Sequence, residues 1–224
     1  MPATLLSTHR IEPKGRAQYC VIGLHGLGAN GHDLVPAVTE LQLPSAHAIR
    51  FIFPHAPQQA VTINGGLLMP AWYDIRSYDL TTHEDSAGLA LSCAQIEQLI
   101  AHQVEQGILP QHIVLLGFSQ GGALALHTAL HSHYPLGAVA GLSSYLPFAN
   151  SLTPTARTEL PIFLAHGLFD PIVPVTLAQN ALRCLQSAGF KPTWETFPMA
   201  HTLCGAQLIK LGAWLKKSLT ILKA

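Results

Sequence analysis

The feature that most restricts the fold is a run of apolar residues, Ile113-Val114-Leu115-Leu116, followed without a break by Gly117-Phe118-Ser119-Gln120-Gly121 and then by Gly122-Ala123-Leu124-Ala125-Leu126. The first run is entered from the turn-former Pro110 and has the continuous apolarity of a strand buried on both faces. The last run offers helix formers with little bulk. A serine standing clear at the sharp turn between them adopts a costly backbone conformation. That turn crowds the residues two before and two after the serine, and glycine at 117 and 121 relieves the crowding. Gly-x-Ser-x-Gly arises by chance in roughly one chain in ten or fifteen of this length. The weight therefore lies on the strand-turn-helix setting, which is that of a nucleophilic serine.

Further strands are predicted at residues 18–24, 49–53, 138–142, 162–165 and 193–197. Helices are predicted from about Ser86, from 175 to 187 and from 206 to 219. In the first of these helices Leu89, Cys93, Ile96, Ile100 and Val104 recur at helical spacing, with Glu84 and Asp85 at its start and Gly107 beyond its end. Strands alternating with helices predict an α/β fold with a mostly parallel central sheet covered on both faces. Reactive groups in such sheets sit at the carboxyl ends of the strands. Residues 56–82 form the longest stretch without periodicity, and are the candidate wall of a substrate pocket.

A length of 224 residues suits one domain spanning 1–224. Hydrophobic residues make up 49% and charged residues 11%, with Lys and Arg balancing Asp and Glu at 12 each. That balance argues against nucleic acid and anionic membranes as partners and for a neutral or apolar small molecule. The N-terminal residues lack the pattern of a secretory signal, and no apolar run is long enough to span a bilayer, so a cytoplasmic protein without stable membrane insertion is expected. Cys20, Cys93, Cys184 and Cys204 are widely spaced, which predicts free thiols and neither a zinc site nor a redox motif.

A serine hydroxyl needs a histidine to take its proton, and the histidine needs a carboxylate to fix its tautomer. In chains built around this elbow the order is Ser, then Asp or Glu, then His. After Ser119 the sole aspartate is Asp170, and after Asp170 the sole histidine is His201. Asp170 follows the strand at 162–165, whereas Glu159 precedes it and Glu195 lies within a predicted strand with alternating neighbours. Oxyanion donors are expected from the backbone N–H of Gln120, just after the nucleophile, and of Leu27 in the loop His25-Gly26-Leu27-Gly28.

Five segments, in order along the chain, carry a family resemblance: Leu24-His25-Gly26-Leu27-Gly28, Pro54-His55-Ala56-Pro57, Trp72-Tyr73-Asp74, Gly117 to Ala123, and His166-Gly167 with Asp170-Pro171-Ile172-Val173-Pro174. The chain resembles the acyl-protein thioesterase and carboxylesterase family of α/β-hydrolases, and the Trp-Tyr-Asp form is similar to its bacterial carboxylesterase branch. The resemblance implies an α/β-hydrolase fold without a large cap domain. It also implies cofactor-free cleavage of small-molecule esters or acyl thioesters by Ser119, Asp170 and His201. Leu168 and Phe169 stand where the family often has a polar residue, Asn30 where it has Asp, and Ala200 where it has Gly or Met.

Leu68, Trp72 and Leu168 are the candidate substrate contacts. His25 and His166 are assigned to backbone hydrogen bonds. His127 and His131, four apart with His133 nearby, lack the acid of a helical metal motif and are read as helix surface, so no metal is expected. The apolar set Leu67-Leu68-Met69 within 56–82 fits a pocket lid, a membrane contact or a homodimer interface.

Overall fold

The computed structural model describes residues 5–44, 47–153 and 158–221. Its strands are β1 (Thr8–Ile11), β2 (Tyr19–Leu24), β3 (Ile49–Pro54), β4 (Gln58–Val61), β5 (Leu67–Pro70), β6 (Ile113–Phe118), β7 (Ala138–Leu142), β8 (Ile162–Gly167) and β9 (Thr193–Phe197). Its helices are α1 (Val35–Glu40), α2 (Ser86–Glu105), α3 (Gln120–His131), α4 (Val175–Ser187) and α5 (Gly205–Ile221). Seven strands form one sheet in the order β1-β3-β2-β6-β7-β8-β9. All its neighbours are parallel except β1 on β3. This is the expected α/β-hydrolase architecture, and no cap domain is present among the described residues.

The central strands are apolar at every position because each divides its side chains between two cores. On one face Ile113 and Leu115 pack with Ile22, Val139 and Leu164 beneath α2, α3 and α4. On the other, Val114 and Leu116 pack with Val21, Phe53, Ala140 and Phe163 beneath α5. Leu89, Ile96, Leu99 and Ile100 supply the buried stripe of α2, and the Asp85 carboxylate accepts the Gly88 N–H at its start.

Three elements have no counterpart in the sequence expectations. β1 is a short antiparallel edge strand without an apolar run, and α1 has too few residues to show a period. Within 56–82 the chain forms the antiparallel hairpin β4–β5, closed through Gly65 (φ 67°) and Gly66 (φ 77°). Both glycines lie in the left-handed region.

His127 of α3 is partly buried, with its ring 4.2 Å from that of His131. It is therefore not the purely exposed helix residue that its spacing suggested. Burial, then the neighbouring His131, pushes its pKa down to about 4. Burial is also the chief cause lowering the pKa values of His25 and His166. Unfolded histidines titrate near 6.5, so below that pH the unfolded chain binds more protons than the folded one, and stability falls as pH drops. Thermal melts are expected to show a steady Tm above about pH 7 and a decline on acidification toward pH 5. Substituting His127→Gln should make that decline shallower; an equally steep decline would contradict the burial effect at this site.

Candidate active site

β6 delivers Ser119 at the carboxyl edge of the sheet, where the backbone takes φ 55°, ψ −123° before α3 begins. Such a conformation costs a non-glycine residue about 1–3 kcal/mol. It is held by the Ser119 N–H donating to the Leu142 carbonyl at 2.9 Å and the Ala123 N–H donating to the Ser119 carbonyl at 3.0 Å. A Cβ on Gly117 would lie 2.2 Å from the Gly121 carbonyl oxygen, the crowding expected across the turn. Gly121 is constrained differently: its Cβ would meet the carbonyl oxygens of Leu24 and His25 at 2.2 and 2.4 Å. The second glycine thus lets α3 approach the end of β2, where the expected oxyanion loop starts.

Ser119, His201 and Asp170 come together from three loops. His201 Nε2 lies 2.9 Å from Ser119 Oγ, and His201 Nδ1 lies 2.7 Å from Asp170 Oδ2. A carboxylate only accepts, so Nδ1 carries the proton and the Nε2 lone pair faces the serine hydroxyl. The other oxygen, Asp170 Oδ1, accepts the N–H groups of Ile172 and Val173, each at 2.9 Å. Behind it, buried His166 donates from Nε2 to the Val173 carbonyl at 2.7 Å, the backbone role expected of it. The acid and base loops are zipped together as β8 and β9 run on. Leu168 N–H donates to the Phe197 carbonyl at 2.8 Å and Phe169 N–H to the Met199 carbonyl at 3.1 Å.

Two backbone donors flank Ser119. Gln120 opens α3, where the first N–H groups have no partner within the helix. The Leu27 N–H makes no hydrogen bond among the described residues, whereas its neighbours Gly28 and Ala29 donate to the Pro70 and Gly26 carbonyls. The loop is pinned through His25, whose Nδ1–H donates to the Gly26 carbonyl at 2.8 Å and whose Nε2 accepts the Ala56 N–H at 3.1 Å. One proton thus satisfies both ring nitrogens, and burial favours the neutral ring.

Sequence comparison places this geometry among relatives. The profile of the phospholipase/carboxylesterase family matches residues 8–219. The chain belongs to this family. It is 37% identical to an acyl-protein thioesterase 1 of Gibberella zeae over 89% of this chain and 90% of that protein. It is 32% identical to a probable carboxylesterase of Oryza sativa over 98% of this chain and 85% of that protein. Among solved structures, Zea mays acyl-protein thioesterase 2 superposes with a TM-score of 0.84 at 27% identity, covering 95% of this chain and 99% of that one. The protein is an ester hydrolase of the phospholipase/carboxylesterase family, and among its described residues no helix is long and apolar enough to cross a membrane.

In this family member a cleft of about 800 Å³ opens at Ser119, His201 and Leu27, with apolar walls that include Ile63, Ile75, Tyr145 and Ile172. Trp72, a candidate substrate contact, is 1% exposed and lies in the core, not on the cleft wall. Its indole N–H donates to the His25 carbonyl at 2.8 Å, and its backbone N–H donates to Gln120 Oε1 at 3.0 Å. Gln120 Nε2 in turn donates to the Tyr73 carbonyl at 2.7 Å, and Ser92 Oγ donates to the Trp72 carbonyl. The Trp72-Tyr73 segment therefore fastens the elbow to the loop of Leu27.

Leu68 and Leu168 do not line the cleft either. Leu68 is 68% exposed on β5, and Leu168 is 48% exposed on the acid loop. Sequence reasoning overlooked Tyr145 and Ile172, although each follows a strand of the parallel sheet at the edge where ligands bind. Asn30, the departure from the family pattern, caps the turn Gly31–Leu34 by accepting the His32 N–H at 2.9 Å.

Proposed function

We propose that Ser119 is the nucleophile of an esterase acting on carboxylic esters or acyl thioesters, with His201 as base and Asp170 as its orienting acid. The observation that carries this reading is the unbroken relay of 2.7 and 2.9 Å from Asp170 through His201 to Ser119. Ser119 Oγ attacks the acyl carbon as its proton passes to His201 Nε2, and the carbonyl π electrons move onto oxygen. The N–H groups of Leu27 and Gln120 receive that oxyanion. On collapse the alcohol or thiol leaves with the proton from His201, and water, deprotonated by His201, releases the acid from Ser119. No step needs a metal or an organic cofactor.

The apolar lining of the cleft supports an acyl chain as the group it holds. The acyl-protein thioesterase names of the relatives support thioesters within the substrate range. Hydrolysis of p-nitrophenyl esters is expected to fall by several orders of magnitude in Ser119→Ala, because the members of such a triad act as a unit. Comparable activity in the variant and the wild type would refute the assignment.

A further inference from the structure

Among the described residues the cleft beside Ser119 has one carboxylate in its wall. Apart from the imidazoles of His25 and His201, its described lining contains a single carboxylate, Asp33, and neither lysine nor arginine. Asp33 is fixed in place by the turn it belongs to: Asn30 N–H donates to Asp33 Oδ2 at 2.7 Å, completing a reciprocal cap with the Asn30 side chain. The residue is exposed, and among the described residues its Oδ1 accepts no hydrogen bond and it has no ion-pair partner. Burial is the chief cause lowering the His25 pKa, and Asp33 is the smallest of the groups that act on it, in the opposite direction. Tyr78, held by its hydroxyl on the Ile63 carbonyl at 3.1 Å, lines the same cleft and adds an aromatic group of the kind that attracts cations.

A carboxylate in a cleft whose described lining has neither lysine nor arginine lowers the energy of a positive ligand group and raises that of a negative one. We propose that Asp33 is a specificity-determining residue that makes the enzyme prefer esters carrying a cationic group, such as an ammonium, over neutral isosteres, and disfavour esters carrying a carboxylate. The inference rests on the proposed hydrolysis at Ser119 and adds the charge class of its substrates. Across a few ångströms of partly hydrated cleft, one charge pair corresponds to roughly a three- to tenfold preference, which salt weakens.

The test compares kcat/KM for butyrate esters of three alcohols of similar size: choline, its neutral isostere 3,3-dimethylbutanol, and 4-hydroxybutanoate. At low ionic strength the wild type should favour choline over the isostere by roughly three- to tenfold and the isostere over the carboxylate, with both ratios shrinking at about 0.5 M salt. In Asp33→Asn, whose amide oxygen still accepts the Asn30 N–H, the ratios should approach one. A wild-type choline ratio within twofold of one, or an unchanged ratio in the variant, would overturn the proposal. Should the variant fail to fold, the salt dependence of the wild-type ratios decides. No Ser119-dependent turnover of the neutral ester would overturn the parent reading as well, so the two failures are distinguishable.

Discussion

Replacing Asp170 with asparagine is expected to lower kcat by roughly a thousandfold to ten-thousandfold, with little change in the fold. The reason lies in the two sides of the carboxylate. Asp170 Oδ1 accepts two backbone N–H groups, from Ile172 and Val173, while Oδ2 accepts from His201 Nδ1. An asparagine amide has only one oxygen, and the two backbone donors claim it. The amide NH2 is then turned toward His201, where it can only donate. His201 must present a lone pair at Nδ1, which places the proton on Nε2 against Ser119 Oγ and leaves the serine without a base. Steady-state kinetics across pH check this. A loss of less than tenfold would mean that the Asp170–His201 contact does not set the tautomer.

Substituting Gly121→Ala should destabilise the protein by about 3 kcal/mol, because the new methyl carbon meets backbone and not a side chain that can swing aside. The atoms it meets are the carbonyl oxygens of Leu24 and His25 at 2.2 and 2.4 Å. For a chain of this size the corresponding fall in Tm is roughly 6–12 °C. Activity should fall too, at least tenfold, since displacing the His25 carbonyl moves the anchor of the Trp72 indole and the Leu27 N–H two residues on. Calorimetry and ester kinetics below the Tm measure both effects. Gly205→Ala is the control, because its Cβ would meet nothing within 4 Å. Equal melting temperatures for the two variants would contradict the close approach of α3 to β2.

These expectations draw on parts of the molecule that were unequally legible in the amino-acid order. The strand-elbow-helix unit was readable because a strand buried on both faces needs unbroken apolarity and the turn needs glycine, and both leave local marks. The partners of Ser119 could be named because the chain downstream contains one aspartate and one later histidine. Residues 56–82 were opaque for a physical reason. Their hairpin is short, and the facing of Leu68 depends on strand register, which no local pattern displayed. The role of Trp72 was hidden in another way, since its bonds to His25 and Gln120 span 47 and 48 positions of sequence. A large aromatic in a loop reads as a pocket wall until such long-range bonds are seen. Asp33 left no motif at all; the role proposed for it rests on the absence of lysine and arginine from the described lining of the cleft.

In the proposed reaction the acyl group passes through a covalent bond to Ser119. Intact-mass analysis after treatment with a fluorophosphonate probe, followed by peptide mapping, tests it most directly. One adduct per chain is expected, located on Ser119 and absent from a folded Ser119→Ala variant. An adduct on another residue, or an unlabelled protein that still hydrolyses its ester, would contradict it.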